Sequence, residues 1–228
     1  TQTERLEINN TSSGGFYVNS IINVAQKFDN KCRKLNNASN IRLNSDVLDK
    51  NVLDYDVCTD GEFKVSAGEE IYIKGNLILK SGARVIVEDG GKLTVKKHVS
   101  SQSSSFDIDK GGCMQINDYI SSSSDTFEVD GSLIIRGDAK MSSASVSGTG
   151  LITFRGDLNV NSGIWDKPNI AFDSKVHQSV GGSTINVNDL LISNSAKSGI
   201  SFSSGINCYG ELTENYLKIS GGSYIVKK

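Results

Sequence analysis

From about residue 62 onward, apolar and polar residues alternate over three or four positions, stop, and begin again. Phe63-Lys64-Val65, Ile71-Tyr72-Ile73, Leu77-Ile78-Leu79, Val85-Ile86-Val87 and Leu93-Thr94-Val95 open a series that runs to Tyr224-Ile225-Val226. Gly, Asn, Asp and Ser separate the runs. Alternation at period two in runs this short predicts strands that bury one edge. The N-terminal stretch reads differently. Val18, Ile21, Ile22, Ala25, Phe28, Cys32 and Leu35 recur at helical spacing after Ser12-Ser13-Gly14-Gly15, which predicts an amphipathic helix over about residues 16–36.

The strands repeat. Val85-Ile-Val-Glu-Asp-Gly-Gly-Lys-Leu-Thr-Val95, Phe106-Asp-Ile-Asp-Lys-Gly-Gly-Cys-Met-Gln-Ile116 and Phe127-Glu-Val-Asp-Gly-Ser-Leu-Ile-Ile135 align, with Val87, Ile108 and Val129 spaced 21 residues apart. Looser copies follow at Val146–Phe154 and Val180–Val187. Each copy is a strand, a tight glycine turn, a second strand and a polar connection. Such a unit cannot bury its apolar edge alone, but units stacked at strand spacing, about 4.8 Å, bury a continuous column. The expected fold is therefore all-β: a right-handed parallel β-helix of about six to eight coils over residues 62–228, if a coil takes roughly 20 residues. Residues 1–61 form its N-terminal cap, whose helix covers the open end. The competing architecture is an antiparallel sandwich or jelly roll, which the fixed register of 21 disfavours.

Composition fits this picture. Ser, Gly and Asn number 33, 23 and 20, one third of the 228 residues, beside a single Pro. All three residue types weaken helices and suit turns. The 37% hydrophobic content, spread as short runs, excludes generic disorder. With 24 basic and 26 acidic residues the net charge is −2, and no basic cluster invites a nucleic acid. No run approaches the roughly 18 apolar residues of a membrane span. The chain opens Thr-Gln-Thr-Glu without a leader and reads as an excised piece, while Tyr224-Ile-Val226 reads as a strand that a further coil would continue.

The segments Gly75–Val95 and Val176–Asn194 resemble the degenerate repeats of bacterial cell-surface β-helix proteins of the adhesin and filamentous-haemagglutinin type. The resemblance covers about residues 62–228. It implies an exported, extracellular, structural or adhesive module that engages a glycan or cell-surface protein, or stacks end to end on itself.

Candidate chemistry follows from the register. Glu88, Asp109 and Asp130 take equivalent positions in three coils, and Asp107 aligns with Glu128. Carboxylates stacked on one outer face repel unless a cation offsets them, and no matched Lys or Arg ladder is evident beside them. The functional reading is a calcium or sugar site like the acid clusters of β-helical polysaccharide-cleaving enzymes; the plainer one is Asp before Gly in solvated turns. No other cofactor is expected. Trp165, Phe172 and Tyr209 are candidate ligand contacts, since residues 161–175 exceed an ordinary connection and an exposed Trp stacks on sugars. Flanking Ile164 and Ile170 argue instead that Trp165 turns inward. Tyr72, Tyr119 and Tyr224 are further stacking candidates. Cys32 and Cys58 are candidates for a disulfide, Cys113 and Cys208 for core positions, and the Ser-rich stretches 100–105 and 121–124 for one flexible turn repeated. His98 and His177 have no triad motif around them.

The leading expectation is a non-enzymatic surface module. A polysaccharide lyase or glycoside hydrolase working through the stacked carboxylates is the first alternative, and a phage tail-spike or toxin-stalk segment the second.

Overall fold

The computed structural model describes residues 1–228 apart from 11, 13, 31–33, 37–40, 44–50, 54–55 and 222–223. It is a parallel β-solenoid of about 10 turns. A coil consists of three strands. Glu62–Val65 lies on a first face, Glu70–Ile73 on a second and Leu77–Leu79 on a third, after which Arg84–Val87 returns to pair with Glu62–Val65. Alternation decides which side chains enter. Phe63, Val65, Ile71, Ile73, Leu77 and Leu79 are all buried, whereas Lys64, Tyr72 and Ile78 point outward.

The register of 21 is real where it was read: Val87 pairs with Ile108, and Ile108 with Val129. Elsewhere the stride breathes. Val65 pairs with Val87, Phe127 with Val146 and Phe154 with Phe172, steps of 22, 19 and 18 residues. Corners absorb the difference, so the stacked columns stay in line.

Three expectations change. No α-helix stands among the described residues, and Ile22–Asn30 is a strand paired in parallel with Gln2–Ile8. The β-branched Val18, Ile21, Ile22 and Val24 favour extended backbone, and Ile22 with Val24, two residues on and outside the helical set, shares a strand face that a helix would split. The count of six to eight coils was low because the N-terminal residues form coils too. Asp56–Thr59 pairs with both Lys34–Asn36 and Leu77–Leu79, so the ladder runs across residue 61. Finally, the Ser-rich stretch after Val99 is a built corner. Ser101 pairs with Ser121 in the third face, and Ser101 and Ser104 are buried.

That corner is anchored by a buried carboxylate. Asp125 accepts hydrogen bonds from the Ser101 hydroxyl and the Ser104 amide at 2.8 Å each and from the Tyr119 hydroxyl at 2.5 Å. Burial, then the negative charge of Asp125, pushes the Tyr119 phenol well above its usual range, so it remains a donor. Tyr119 also stands edge-on to Phe106 and Phe127, whose rings stack at 4.5 Å. Unlike a flexible turn, this segment ties polar and aromatic interior together.

Two other features hold coil to coil. At the turn between the first and second faces, a methyl group on Gly112 would come within 2.6 Å of the Val87 carbonyl oxygen, and one on Gly131 would run into the Gly112 carbonyl. Only glycine lets successive turns stack this closely. At the corner before the third face, Asp118 accepts from the Asp138 amide, Asp138 from the Asp157 amide and Asp157 from the Ser179 amide, at 2.7–3.0 Å. Each carboxylate clamps the next coil.

Candidate functional site

The acidic ladder forms as its register requires. Asp107 pairs directly with Glu128, and Glu88, Asp109 and Asp130 each follow a residue of the stacked Val87, Ile108 and Val129 column. Matched cations are nevertheless present, against the expectation of none. Lys64 meets Glu88 at 2.5 Å and Arg84 meets Asp107 at 2.6 Å. Glu88 also accepts the Ala67 amide, and its carboxyl lies below the usual range chiefly through the Lys64 bond. Asp130 accepts both the amide and the hydroxyl of Thr149 at 2.8 Å, which lowers its carboxyl in turn. Three of the five carboxylates thus serve as lateral ties between coils. Among the described residues no three His, Cys, Asp or Glu side chains converge as a metal-holding group.

Trp165 is buried at 3% exposure, continuing the inner column of Phe127 and Val146, and its indole nitrogen has no hydrogen-bond partner among the described residues. Phe172 is buried between Phe154 and Phe202. Tyr209 is 41% exposed and carries the Lys167 ammonium over its ring at 4.3 Å. The three candidates therefore do not share one surface. Flanking Ile164 stays out while Trp165 turns in, because they alternate along Gly163–Trp165.

Cys58 is buried, and Cys32, its candidate partner, lies outside the described residues. Cys208 is a core residue, but Cys113 stands in the outward column between Lys92 and Ser132, half-exposed. Burial holds both thiols above their usual range, so neither is an activated nucleophile. The His177 ring lies 3.0 Å from the Gly199 carbonyl oxygen through Nδ1, with the Ser179 and Ser201 hydroxyls 3.4–3.5 Å from Nε2.

A concave stretch of outer surface lies elsewhere, on the second face. Its outward column runs through Val52, Tyr72, Thr94 and Gln115, paired in register, and Thr94 is only 9% exposed despite pointing out. Neighbouring side chains wall it in. Here Tyr72, Gln115, Asn117, Lys92, Lys96 and Arg136 border a depression of about 350 Å3. A second depression of about 380 Å3, nearer the C-terminus, is bordered by Thr149, Asn169, Asp189 and Glu211. Of these residues only Tyr72 was flagged by sequence, because the others become neighbours only once 19 to 22 residues of chain close into a coil.

No family model, curated protein or solved structure matches this chain. Its function must follow from geometry. No helix among the described residues is long and apolar enough to cross a membrane.

Proposed function

We propose that the chain is a non-enzymatic, extracellular β-helix module, right-handed like the repeats it resembles, that engages a glycan or cell-surface protein through its outer faces. One observation supports this above the others: parallel stacking, continuous along the second face, repeats outward side chains at one strand spacing, about 4.8 Å, coil after coil. A linear partner laid along the axis meets the same chemistry at regular intervals. The enzymatic alternative needs carboxylates free to exchange protons, and Glu88, Asp107 and Asp130 are instead tied to Lys64, Arg84 and Thr149.

The test is a panel of polysaccharides and surface proteins, scored for saturable binding and for chain cleavage. Saturable binding without cleavage, unaffected by Asp109→Asn, is the expected result. Cleavage that Asp109→Asn abolishes would establish the enzyme instead, and absence of any saturable ligand would overturn the adhesive reading.

A further inference from the structure

The second-face depression differs from the acidic ladder in one respect: two of its three cations are not spent. Lys92 pairs with Glu70 at 2.7 Å, yet among the described residues neither Lys96 nor Arg136 has a carboxylate in ion-pairing range. Both are exposed. They occupy the positions after Val95 and Ile135, two coils apart in the column that passes Asn117 after Ile116, with the register shifted at Lys96, between Val95 and His98. Further along the same column Arg155 is closed off by Asp173 at 3.1 Å. Of Lys96, Arg136 and Arg155, the two without a carboxylate partner are the ones that border the depression. Beside them Tyr72 offers a ring face, and Gln115 and Asn117 offer amides that donate and accept.

We infer that this groove binds an anionic sugar chain lying along the solenoid axis, with Lys96 and Arg136 each taking an acidic group and Tyr72 packing against a sugar ring. The inference rests on the adhesive reading above and names its ligand class. Charge complementarity selects acidic over neutral chains: two cations without carboxylate partners give the groove a positive potential, and a guanidinium fork matches carboxylate or sulfate oxygens. The ring and amides select sugar over a plain polyanion. The Lys92–Glu70 pair on the opposite wall adds little net charge.

The experiment measures binding of the whole chain to polygalacturonate, dextran sulfate, neutral dextran and polyglutamate. Acidic glycans should bind and dextran should not. Lys96→Ser and Arg136→Ser should each weaken binding about tenfold, as expected for one charge-assisted contact. Rising salt should weaken it further, and Tyr72→Ala should cost a smaller factor. Lys140→Ser, an outward lysine on the third face, serves as a control without effect. These are exposed positions, and an unchanged thermal midpoint verifies folding. The polygalacturonate and dextran sulfate arms tell carboxylate from sulfate recognition, either of which supports the site. Equal binding of polyglutamate, or binding indifferent to Lys96 and Arg136, would overturn it. If no glycan binds but a surface protein does, the groove assignment fails and the adhesive reading stands; if nothing binds, both fail.

Discussion

Asp125 shows most clearly how single residues hold this chain in shape. Sequence places it at the end of a serine run, where it reads as a solvated turn residue; in the fold it is 1% exposed and accepts three hydrogen bonds. Removing it leaves the Tyr119 hydroxyl and the Ser104 amide buried without acceptors, each costing about 1–3 kcal/mol. Asp125→Ala should therefore lower unfolding free energy by about 3 kcal/mol, and Tyr119→Phe, which leaves Asp125 two donors, by about 1 kcal/mol. Chemical denaturation measures both. An Asp125→Ala protein as stable as its parent would show that the hub is not structural. Nothing in local sequence marks Asp125, because its partners lie up to 24 residues away. Trp165 is the opposite case: the flanking Ile164 and Ile170 argued that it turns inward, and it does so beside a buried Ile170, although Ile164 points out.

At the scale of strands and corners, alternating runs were legible wherever a strand held two inward apolar residues, as in Phe106–Ile108 or Leu133–Ile135. Third-face strands were harder, since Val99–Ser101 and Tyr119–Ser121 each hold one apolar and one serine position inside. The N-terminal helix failed for a related reason: Ile22 belongs to the helical set yet also alternates with Val24, and only the parallel partner Gln2–Ile8 decides between the two periods. Corner carboxylates were legible as turn residues but not as clamps, because a clamp requires the next coil. Asp130 gives that role a pH signature. Its ordinary value is 3.8, and the Thr149 amide and hydroxyl lower it. A depressed carboxyl contributes stability that is complete above its unfolded pKa and is lost as pH falls through the folded value. Glu88, lowered chiefly by Lys64, acts in the same direction. Glu69, raised by burial, acts oppositely: its contribution belongs to the acid side and fades as pH rises through the raised value. Stability should thus decline below about pH 4, and Asp130→Asn should make the loss between about pH 7 and pH 3 smaller. Denaturation midpoints at the two pH values give the comparison, and an unchanged loss would remove Asp130 from the account.

For the molecule as a whole, a solenoid turns one-dimensional repetition into surface. Each coil contacts only its neighbours, so outward columns remain straight although the stride varies between 18 and 22 residues. Both the acidic ladder and the basic groove are products of that alignment. The first was legible in sequence because its coils share a stride of 21; the second was not, because Lys96 and Arg136 are separated by one step of 21 and one of 19. The account therefore stands on register, and cross-linking tests register most directly. Asp107 and Glu128 face each other on adjacent strands, about 4.8 Å apart, within the Cα separation a disulfide accepts. In the doubly substituted Asp107→Cys, Glu128→Cys protein, mild oxidation should join these two positions in high yield, mapped by peptide mass spectrometry. The offset pair Asp107→Cys, Thr126→Cys should remain open, and a cross-link there, or none at Asp107 and Glu128, would contradict the stacked solenoid and every surface derived from it.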